Sequence, residues 1–300
     1  MRGAGGLTPL PPRFRLLQTL LSIIAFNSAY CTTIPLFVKN RFYDTSRIFR
    51  GLKIWDNLLY CDRMKHNTTE NGCPAMVKAL SQKHHIDMYR HFAFACVGGY
   101  FASYAILTRF GVMANAQTMN LVELVLSALT GSWTAALQHL GSFLIYVAGT
   151  MLTVLLPRRL GWSVRRISPF VSAAAAVAMA FIPMDTPVIV SLYPIFFAVS
   201  FQWSSYHGAD GFYSSTIFST NNTKQASLSL AEYLCDGDKA HLQKTRLYAL
   251  TLLHFHLGAA LGLPAAKALG AYASLCLLPL LAWCYILVVA EDNAPAADKH

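Results

Sequence analysis

Long apolar stretches with almost no charge alternate with short polar segments along most of the chain. Three of these stretches each contain a single formally charged residue: 110–157 (Glu123), 167–209 (Asp185) and 247–290 (Lys267). A helix needs about 20 apolar residues to cross the hydrocarbon core of a bilayer, so each stretch is long enough for two crossings. A β-barrel would need polar and apolar residues to alternate, and these runs are continuous. The pattern therefore predicts transmembrane helices.

The apolar pattern predicts six spans, which we label by letters because they fall into two sets of three. They cover residues 91–108 (a), 135–156 (c), 169–182 (d), 187–204 (a′), 247–263 (c′) and 270–289 (d′). The predicted fold class is therefore all-α, a polytopic transmembrane helical bundle. The composition agrees, because 55% of the residues are hydrophobic, 13% are charged and the mean hydropathy is +0.41, which excludes most soluble enzymes.

Two further segments, b (residues 112–130) and b′ (residues 212–234), are moderately apolar but begin with dense runs of polar residues. The polar residues are Asn115, Gln117, Thr118 and Asn120 in segment b, and Ser214, Ser215, Thr216, Ser219, Thr220, Asn221 and Asn222 in segment b′. Such side chains are costly in lipid unless they are buried against protein or line a cavity. We therefore expect both segments to enter the membrane without crossing it.

The distribution of basic residues favours this arrangement. Lys and Arg (24) outnumber Asp and Glu (14), which gives a formal net charge of +10. With six spans and a cytoplasmic N-terminal side, the positive-inside rule is met, because the inside then carries the basic residues that follow c and a′. These residues are Arg158, Arg159, Arg165, Arg166, Lys224, Lys239, Lys244 and Arg246. Eight full spans remain the alternative, in which the four arginines that follow c stay inside only if residues 40–90, which are rich in Lys and Arg, lie outside.

The second half of the predicted membrane region resembles the first half in sequence. A shift of 101 residues lays Ser103 on Ser204, Thr118 on Ser219 and Asn120 on Asn221, and a shift of 109 lays Leu144 on Leu253 and Gly149 on Gly258. The two related halves are residues 91–183 and 187–290. Three spans per half predict a 3+3 inverted repeat with two interrupted or re-entrant helices, as in many secondary transporters. Four spans per half would make a 4+4 parallel repeat.

Two motifs in the first half resemble the signature of a known family. Residues 98–104 (GGYFASY) and 111–120 (GVMANAQTMN) are similar to the signature of the YoaK family, bacterial integral membrane proteins of unknown function, and residues 218–221 (FSTN) resemble a later part of it. The resemblance covers roughly residues 90–290 and implies a multi-pass protein of the bacterial inner (plasma) membrane. Ala102 stands where the family has Asp, and Met119 and Thr220 stand where it has Gly. The resemblance thus implies a diverged member of the family, one that lacks the acid at position 102.

The candidate substrate-binding residues are the polar side chains that open b and b′, together with one acid. They are Asn115, Gln117, Thr118, Asn120, Glu123, Ser219, Asn221 and Asn222. They could replace the hydration shell of a small solute or ion, and helix N-termini at this place would favour an anionic group. The alternative is that they join helices by interhelical hydrogen bonds. Glu123 is either an intramembrane acid that can take up a proton or an interfacial carboxylate paired with Arg109 or Lys224.

Motifs for catalysis, cofactors and metals are missing from the sequence. His254 and His256 are two residues apart and point to different sides of a helix, and the seven cysteines form no recognisable framework. We therefore predict no metal, no cofactor and no enzymatic activity. The basic segments contain no nucleic-acid-binding motif, and attraction to anionic lipid explains them. The expected partners are membrane lipids and a small solute or ion.

The two ends of the chain differ from the predicted membrane domain, residues 91–290. Residues 1–90 form a basic and aromatic extension that includes one apolar stretch, 16–38. This extension could be disordered or lie on the membrane surface, add a span, or follow from a translation start placed upstream of Met64 or Met76. Residues 291–300 form a polar tail.

Together these features predict a transporter of a small solute or ion, with its polar site between the two repeats. Two alternatives stay open. The first is a membrane scaffold or assembly protein that transports nothing, in which the polar residues of b and b′ only pack helices. The second is an intramembrane enzyme that uses Glu123 or the histidines.

Overall fold

A computed structural model describes residues 74–294 of the chain, and their side chains from His85 onward. The predictions for the N-terminal extension up to residue 73, and for the tail from residue 295, lie outside the described residues. The described chain is mainly helical, which confirms the all-α prediction. Its α-helices are α1 (Pro74–Thr108), α2 (Gln117–Leu129), α3 (Trp133–Leu160), α4 (Val164–Phe181), α5 (Val188–Ser191), α6 (Tyr193–Ser205), α7 (Thr220–Asp236), α8 (Lys239–Leu269) and α9 (Leu278–Asn293).

Two smaller elements complete the described fold. A 3-10 helix, η1 (Gly270–Leu277), joins α8 to α9, and a small antiparallel pair of strands, β1 (Gly208–Ala209) and β2 (Phe212–Tyr213), follows α6. Local sequence explains the sharp turns between helices. Gly161 ends α3 and Gly237 ends α7 with positive φ values of 66° and 74°, a conformation that glycine adopts without strain. Asp238 then caps α8, because its side chain accepts a hydrogen bond from the Ala240 N–H.

Four helical stretches are long and apolar enough to cross a membrane: His85–Thr108, Trp133–Leu160, Val164–Phe181 and Lys239–Asn293. The last has 55 residues and contains α8, η1 and α9 in succession. By contrast, α2 has 13 residues, which gives it a length of about 20 Å, well short of a hydrocarbon core of about 30 Å. These lengths and compositions indicate a membrane protein.

Helix boundaries differ from the predicted spans in ways that the chemistry explains. The helix that contains span a begins at Pro74 rather than at residue 91, because hydropathy reports the part of a helix that suits lipid and not its whole length. We expected c′ to end before Pro264, yet α8 continues through it to Leu269. A proline removes one backbone hydrogen bond, and near the end of a helix this loss is small.

Parallel pairs of helices form the centre of the bundle. Helix α8 lies along α1 in the same direction: Phe92 stacks on His254, and the Cβ position of Gly258 lies against Cys96. Helix α6 lies along α3 in the same direction. There the Tyr193 hydroxyl donates to Gln138 O at 2.8 Å, and Gly149 further along α3 faces Ser200. Each parallel pair therefore joins a helix of one half of the chain to a helix of the other.

Antiparallel contacts fix the remaining directions. Helix α9, with η1 before it, runs against α1, since Arg90 meets Glu291 of α9 and the Tyr100 hydroxyl donates to Ala273 O of η1. Helix α4 runs against α6 and in the same direction as α1, because Arg165 at its start also meets Glu291. Helices α1, α4 and α8 thus run one way, and α3, α6 and α9 run the other. We call the end that holds Arg90, Arg165 and Glu291 the Arg90 end.

The opposite end of the bundle holds the C-terminal ends of α1 and α4, and we call it the Arg109 end. There the Arg109 guanidinium donates to Ile182 O at 2.9 Å and to Pro183 O at 3.1 Å. Helix α1 is the central element, since 72% of its candidate span is buried, against 17% for α3. Most of this span of α1 therefore lies in the interior of the bundle.

Candidate functional site

Segment b enters the bundle and leaves it at the same end. After α1 the chain turns at Phe110 and Gly111, which both have positive φ values, and it returns along α1 until Asn115 lies beside Gly98. The Asn115 Nδ2 atom donates to Gly98 O at 3.2 Å. Helix α2 then runs back to the Arg109 end and forms a hairpin with α3. Segment b therefore enters and leaves the described bundle at one end, and we call a segment with this path re-entrant.

Segment b′ does the same from the opposite end. After α6 and the small strand pair, residues 214–217 run along α1, starting where Ser214 Oγ lies 3.0 Å from His91 Nε2. Thr216 reaches the level of Gly98, and Ile217 follows it. Helix α7 then turns back to the Arg90 end and joins α8. The tips of the two re-entrant segments thus approach the same turn of α1 from opposite sides.

The two tips touch each other directly. Asn115 Nδ2 donates to Ile217 O at 2.9 Å as well as to Gly98 O, and Asn115 is fully buried. The pair Gly98 and Gly99 makes this approach possible. A Cβ atom on Gly98 would lie 2.2 Å from Thr216 O, and one on Gly99 would lie 1.8 Å from Phe255 O of α8. Two consecutive glycines therefore open two faces of α1, one to the tip of b′ and one to α8.

The predicted site residues fall into three groups by their exposure. Asn115, Asn120 and Asn222 are buried, while Gln117, Glu123 and Ser219 are half-buried and Thr118 and Asn221 are exposed. The structure brings Asn115 and Asn222 to the same short stretch, residues 215–218. It does not bring Thr118 or Asn221 into the contact between the tips. Of the predicted residues, Asn115 and Asn222 therefore form the centre of the site.

Asn222 holds the tip of segment b′ in its conformation. Its Nδ2 atom donates to Ser215 O at 2.6 Å and to Phe218 O at 3.1 Å, and its Oδ1 atom accepts from the Ser214 hydroxyl and the Ser215 N–H, each at 3.2 Å. All the hydrogen-bonding capacity of the Nδ2 atom is used within the segment. Asn222 thus shapes the tip and offers no free donor there.

A second polar cluster lies between α2 and α3. Asn120 Oδ1 is 3.2 Å from His139 Nδ1, and Gln117 Nε2 donates to Ser142 O at 3.5 Å. Glu123 lies close enough to act electrostatically on the His139 ring, and among the described residues it forms no ion pair within 4 Å. The cluster adds polar side chains between α2 and α3, close to the tip of segment b.

Three residues of the site were not singled out from the sequence. Gln202 of α6 donates through Nε2 to Phe94 O at 3.2 Å and to Thr216 Oγ1 at 2.9 Å. His91 contacts Ser214, and His139 contacts Asn120. Gln202 and His139 lie in mainly apolar runs, and His91 directly follows Arg90 at the start of span a, so no pattern of spacing marks any of the three. The available signal was the presence of one strongly polar side chain at the depth of a predicted span.

A network of ion pairs closes the Arg90 end. Arg90 is buried and meets both Asp87 and Glu291, and Arg165 also meets Glu291, at 2.6 Å. The Arg90 guanidinium lies over the Tyr206 ring, 4.9 Å from its centre. Burial raises the pKa of Tyr206, so its hydroxyl stays protonated and donates to Arg165 O at 2.5 Å. These contacts join α1, α4 and α9 at one end of the bundle.

Within the described part of the chain, no group of three or more His, Cys, Asp or Glu side chains is arranged to hold a metal ion. The Asn, Gln and His side chains that surround the two tips are suited to hydrogen bonding with a small polar ligand. Residues 91–289 match the model of the family described as "Protein of unknown function (DUF1275)". No curated protein and no solved structure matches the chain.

Proposed function

Because the chain belongs to the DUF1275 family, whose model covers residues 91–289, and has helices suited to a membrane, we propose that it is a multi-pass membrane transporter. It is a diverged protein of the YoaK type in the bacterial inner membrane, and it moves a small solute or ion past the polar site at the two tips. The observation that carries the proposal is the hydrogen bond from Asn115 Nδ2 to Ile217 O, which joins the two re-entrant segments inside the bundle.

The proposed architecture is a 3+3 inverted repeat of residues 91–183 and 187–290. The helix contacts support it, because exchanging the halves leaves their pattern unchanged. Helix α1 runs parallel to α8 as α6 runs parallel to α3, and α1 runs antiparallel to α9 as α6 runs antiparallel to α4. Segments b and b′ start from opposite ends, and each returns to its own end. A parallel 4+4 repeat would need both segments to cross.

Inverted repeats explain why such a site is useful. In transporters of this kind, interrupted helices place polar side chains and backbone groups near the midplane, where the two repeats meet. The two halves can then close around the site alternately from either side. The Arg90 end is the cytoplasmic end in this proposal, because it receives the arginines that flank the turn between α3 and α4. These are Arg158, Arg159, Arg165 and Arg166.

The second candidate function is a membrane scaffold, and Asn222 is the observation that favours it. All four of its hydrogen bonds stay within segment b′, so this residue acts as an internal brace. Asn115 likewise uses both of its donors on backbone carbonyls. If every polar group at the tips only braces helices, then removing one weakens the fold and affects no transport.

Reconstitution separates the two functions. The full chain is purified, placed in liposomes and tested with a panel of small anions, cations and neutral solutes, and its bound metals and cofactors are measured in parallel. We expect uptake of one class of solute, at least tenfold lower in Asn115→Ala when the rate is normalised to the amount of folded protein. The matched control is Asn293→Ala at the exposed end of α9. Absence of uptake for every solute, with a folded protein, would favour the scaffold, and a stoichiometric cofactor would favour an enzyme.

A further inference from the structure

The two helices of the re-entrant segments, α2 and α7, are each packed on one side. Helix α2 packs mainly against α3, and α7 packs mainly against α8. The outer face of each helix, on the opposite side, is exposed in the described structure. Inside a membrane such a face is covered by lipid, by another protein or by water. The side chains of the face distinguish these cases, because hydrocarbon solvates apolar groups and not polar ones.

Both outer faces begin near the middle of the membrane. Gly98 lies close to the middle of the candidate span His85–Thr108, and the tip of b′ lies against it. Helix α7 begins just after this tip, at Thr220, and runs to the Arg90 end. Its first ten residues, 220–229, extend over about 15 Å, which is half of a hydrocarbon core of about 30 Å. The first part of α7 therefore lies at the depth of the hydrocarbon.

The two outer faces differ in their chemistry. In the first ten residues of α2, the exposed side chains are Thr118, Met119, Leu121, Val122, Val125 and Leu126. In the first ten residues of α7, the exposed side chains are Thr220, Asn221, Thr223, Lys224, Ser227 and Leu228. Five of the six are apolar in α2, whereas five of the six are polar in α7. The outer face of α2 is suited to lipid, and that of α7 is not.

Lys224 indicates what covers the outer face of α7. It is exposed one turn into the helix, and none of the ion pairs among the described residues includes it. A charge at this depth is costly in hydrocarbon, and such side chains face a bundle interior or a water-filled cavity. A second copy packed through the same face would bring two Lys224 side chains close to the two-fold axis, where like charges repel. Water therefore suits this face better than lipid or a second copy.

We propose that the outer face of α7 lines a water-filled vestibule, which opens at the Arg90 end and reaches inward to the tip of b′. We call this surface the vestibule face, and it consists of Thr220, Asn221, Thr223, Lys224 and Ser227. The neighbouring Ile217 and Asn222 are buried, so the vestibule ends at the tip.

The use of the vestibule as the route of the solute rests on the proposed transport function. On that basis, a solute moves between the tip and the Arg90 end along α7. This route lies outside the ion pairs that Glu291 of α9 makes with Arg90 and Arg165, so those pairs need not break.

Thiol labelling in liposomes that contain the full chain tests the vestibule. Thr223→Cys and Ser227→Cys place a thiol on the vestibule face, and Val122→Cys and Leu126→Cys place one on α2 as matched controls. The shift of 101 residues pairs position 122 with 223 and position 126 with 227, and all four side chains are exposed. The natural cysteines stay in place, and mass spectrometry of peptides identifies each labelled residue.

Two natural cysteines serve as internal references. Cys235, exposed near the end of α7, reports which vesicles present the Arg90 end to the reagent. Cys284 is fully buried and stays unlabelled as long as the protein is folded. The reagents are two membrane-impermeant methanethiosulfonates, one anionic and one cationic, because a single reagent would be biased by nearby charges such as Lys224.

The reaction rates report contact with water, because only a thiolate reacts and it forms readily only where water is present. With reagent on both sides of the membrane, we expect Thr223→Cys and Ser227→Cys to react at least about tenfold faster than Val122→Cys and Leu126→Cys. With reagent on one side, the two vestibule variants should react in the same vesicles as Cys235.

Each outcome bears on the vestibule or on transport. Reaction of Thr223→Cys and Ser227→Cys as slow as that of the α2 variants would overturn the vestibule, and so would a disulfide between two copies at either position. Fast reaction without uptake of any solute contradicts the transport proposal and keeps the vestibule. Uptake together with slow reaction contradicts the vestibule while the transport proposal stands.

Discussion

Replacing Gly98 by alanine should separate the two re-entrant tips. The new Cβ atom would lie 2.2 Å from Thr216 O, 3.1 Å from Thr216 C and 3.2 Å from Ile217 Cα. All three are backbone atoms, so no side-chain rotation can relieve the overlap, and the tip of b′ has to move by about 1 Å. Such a movement weakens the bonds from Asn115 Nδ2 to Ile217 O and from Gln202 Nε2 to Thr216 Oγ1, both 2.9 Å long.

The magnitude of the Gly98→Ala effect follows from three contributions. Overpacking of a tight interior contact costs about 1–3 kcal/mol. Two weakened hydrogen bonds add about 1 kcal/mol each. Alanine in place of glycine within a helix stabilises the folded protein by about 1 kcal/mol. We therefore expect Gly98→Ala to lower the free energy of unfolding by about 2–4 kcal/mol.

The assay is denaturant unfolding of the purified protein in mixed micelles, with Gly262→Ala as the control. A Cβ atom on Gly262 would lie 2.1 Å from Ser103 Oγ, which is the end of a side chain that can rotate away. We expect this control to stay within about 1 kcal/mol of the wild type. A Gly98→Ala protein as stable as the control would refute the direct contact between α1 and the tip of b′.

Three further predictions concern the ion pairs, the brace and the topology. Glu291→Gln should lower the free energy of unfolding by about 3 kcal/mol because it leaves a buried arginine short of a partner, whereas Asp292→Asn, at a more exposed pair, should cost less than about 1 kcal/mol. Asn222→Ala should cost about 3 kcal/mol in the same unfolding assay, and a cost near zero would contradict its role as a brace. For the topology, two variants are made that each keep a single cysteine, either the natural Cys235 or a new one from Ser132→Cys. An impermeant maleimide should label these two cysteines from opposite faces of the membrane. Labelling from the same face would contradict the inverted repeat.

The sequence was informative about which segments enter the membrane and less so about which side chains meet there. Charge depletion marks the helices because the cost of charge in lipid acts on composition alone. The contact between the tips depends on helix rotation, and each residue turns the side chain by about 100°. The 101-residue shift pairs Asn120 with Asn221, yet Asn221 is exposed and its neighbour Asn222 is buried. An error of one residue is therefore enough to select the wrong face of α7.

The roles of isolated polar residues could not be predicted from the sequence either. Gln202 lies in the apolar run of α6, and its role depends on Phe94 and Thr216, which are 108 and 14 residues away. No local pattern encodes such a contact. Glycine pairs are easier to interpret from the sequence, because Gly98 and Gly99 indicate close packing of helices even before the partners are known. The structure adds that the two glycines serve two different partners, the tip of b′ and α8.

Unequal contacts close the two ends of the bundle, and under the transport proposal this difference decides which end opens at lower cost. Opening the Arg90 end separates Arg90 and Arg165 from Glu291, and breaking a buried pair of this kind costs about 3–5 kcal/mol. At the opposite end, the Arg109 guanidinium donates to two neutral carbonyls that follow α4. Two such bonds together are worth about 3–6 kcal/mol, a range that overlaps the cost at the Arg90 end, but water entering the gap can replace neutral carbonyls as acceptors and cannot replace the charge of the Glu291 carboxylate. The Arg109 end therefore opens first, and a solute reaches the tips from the side on which segment b enters.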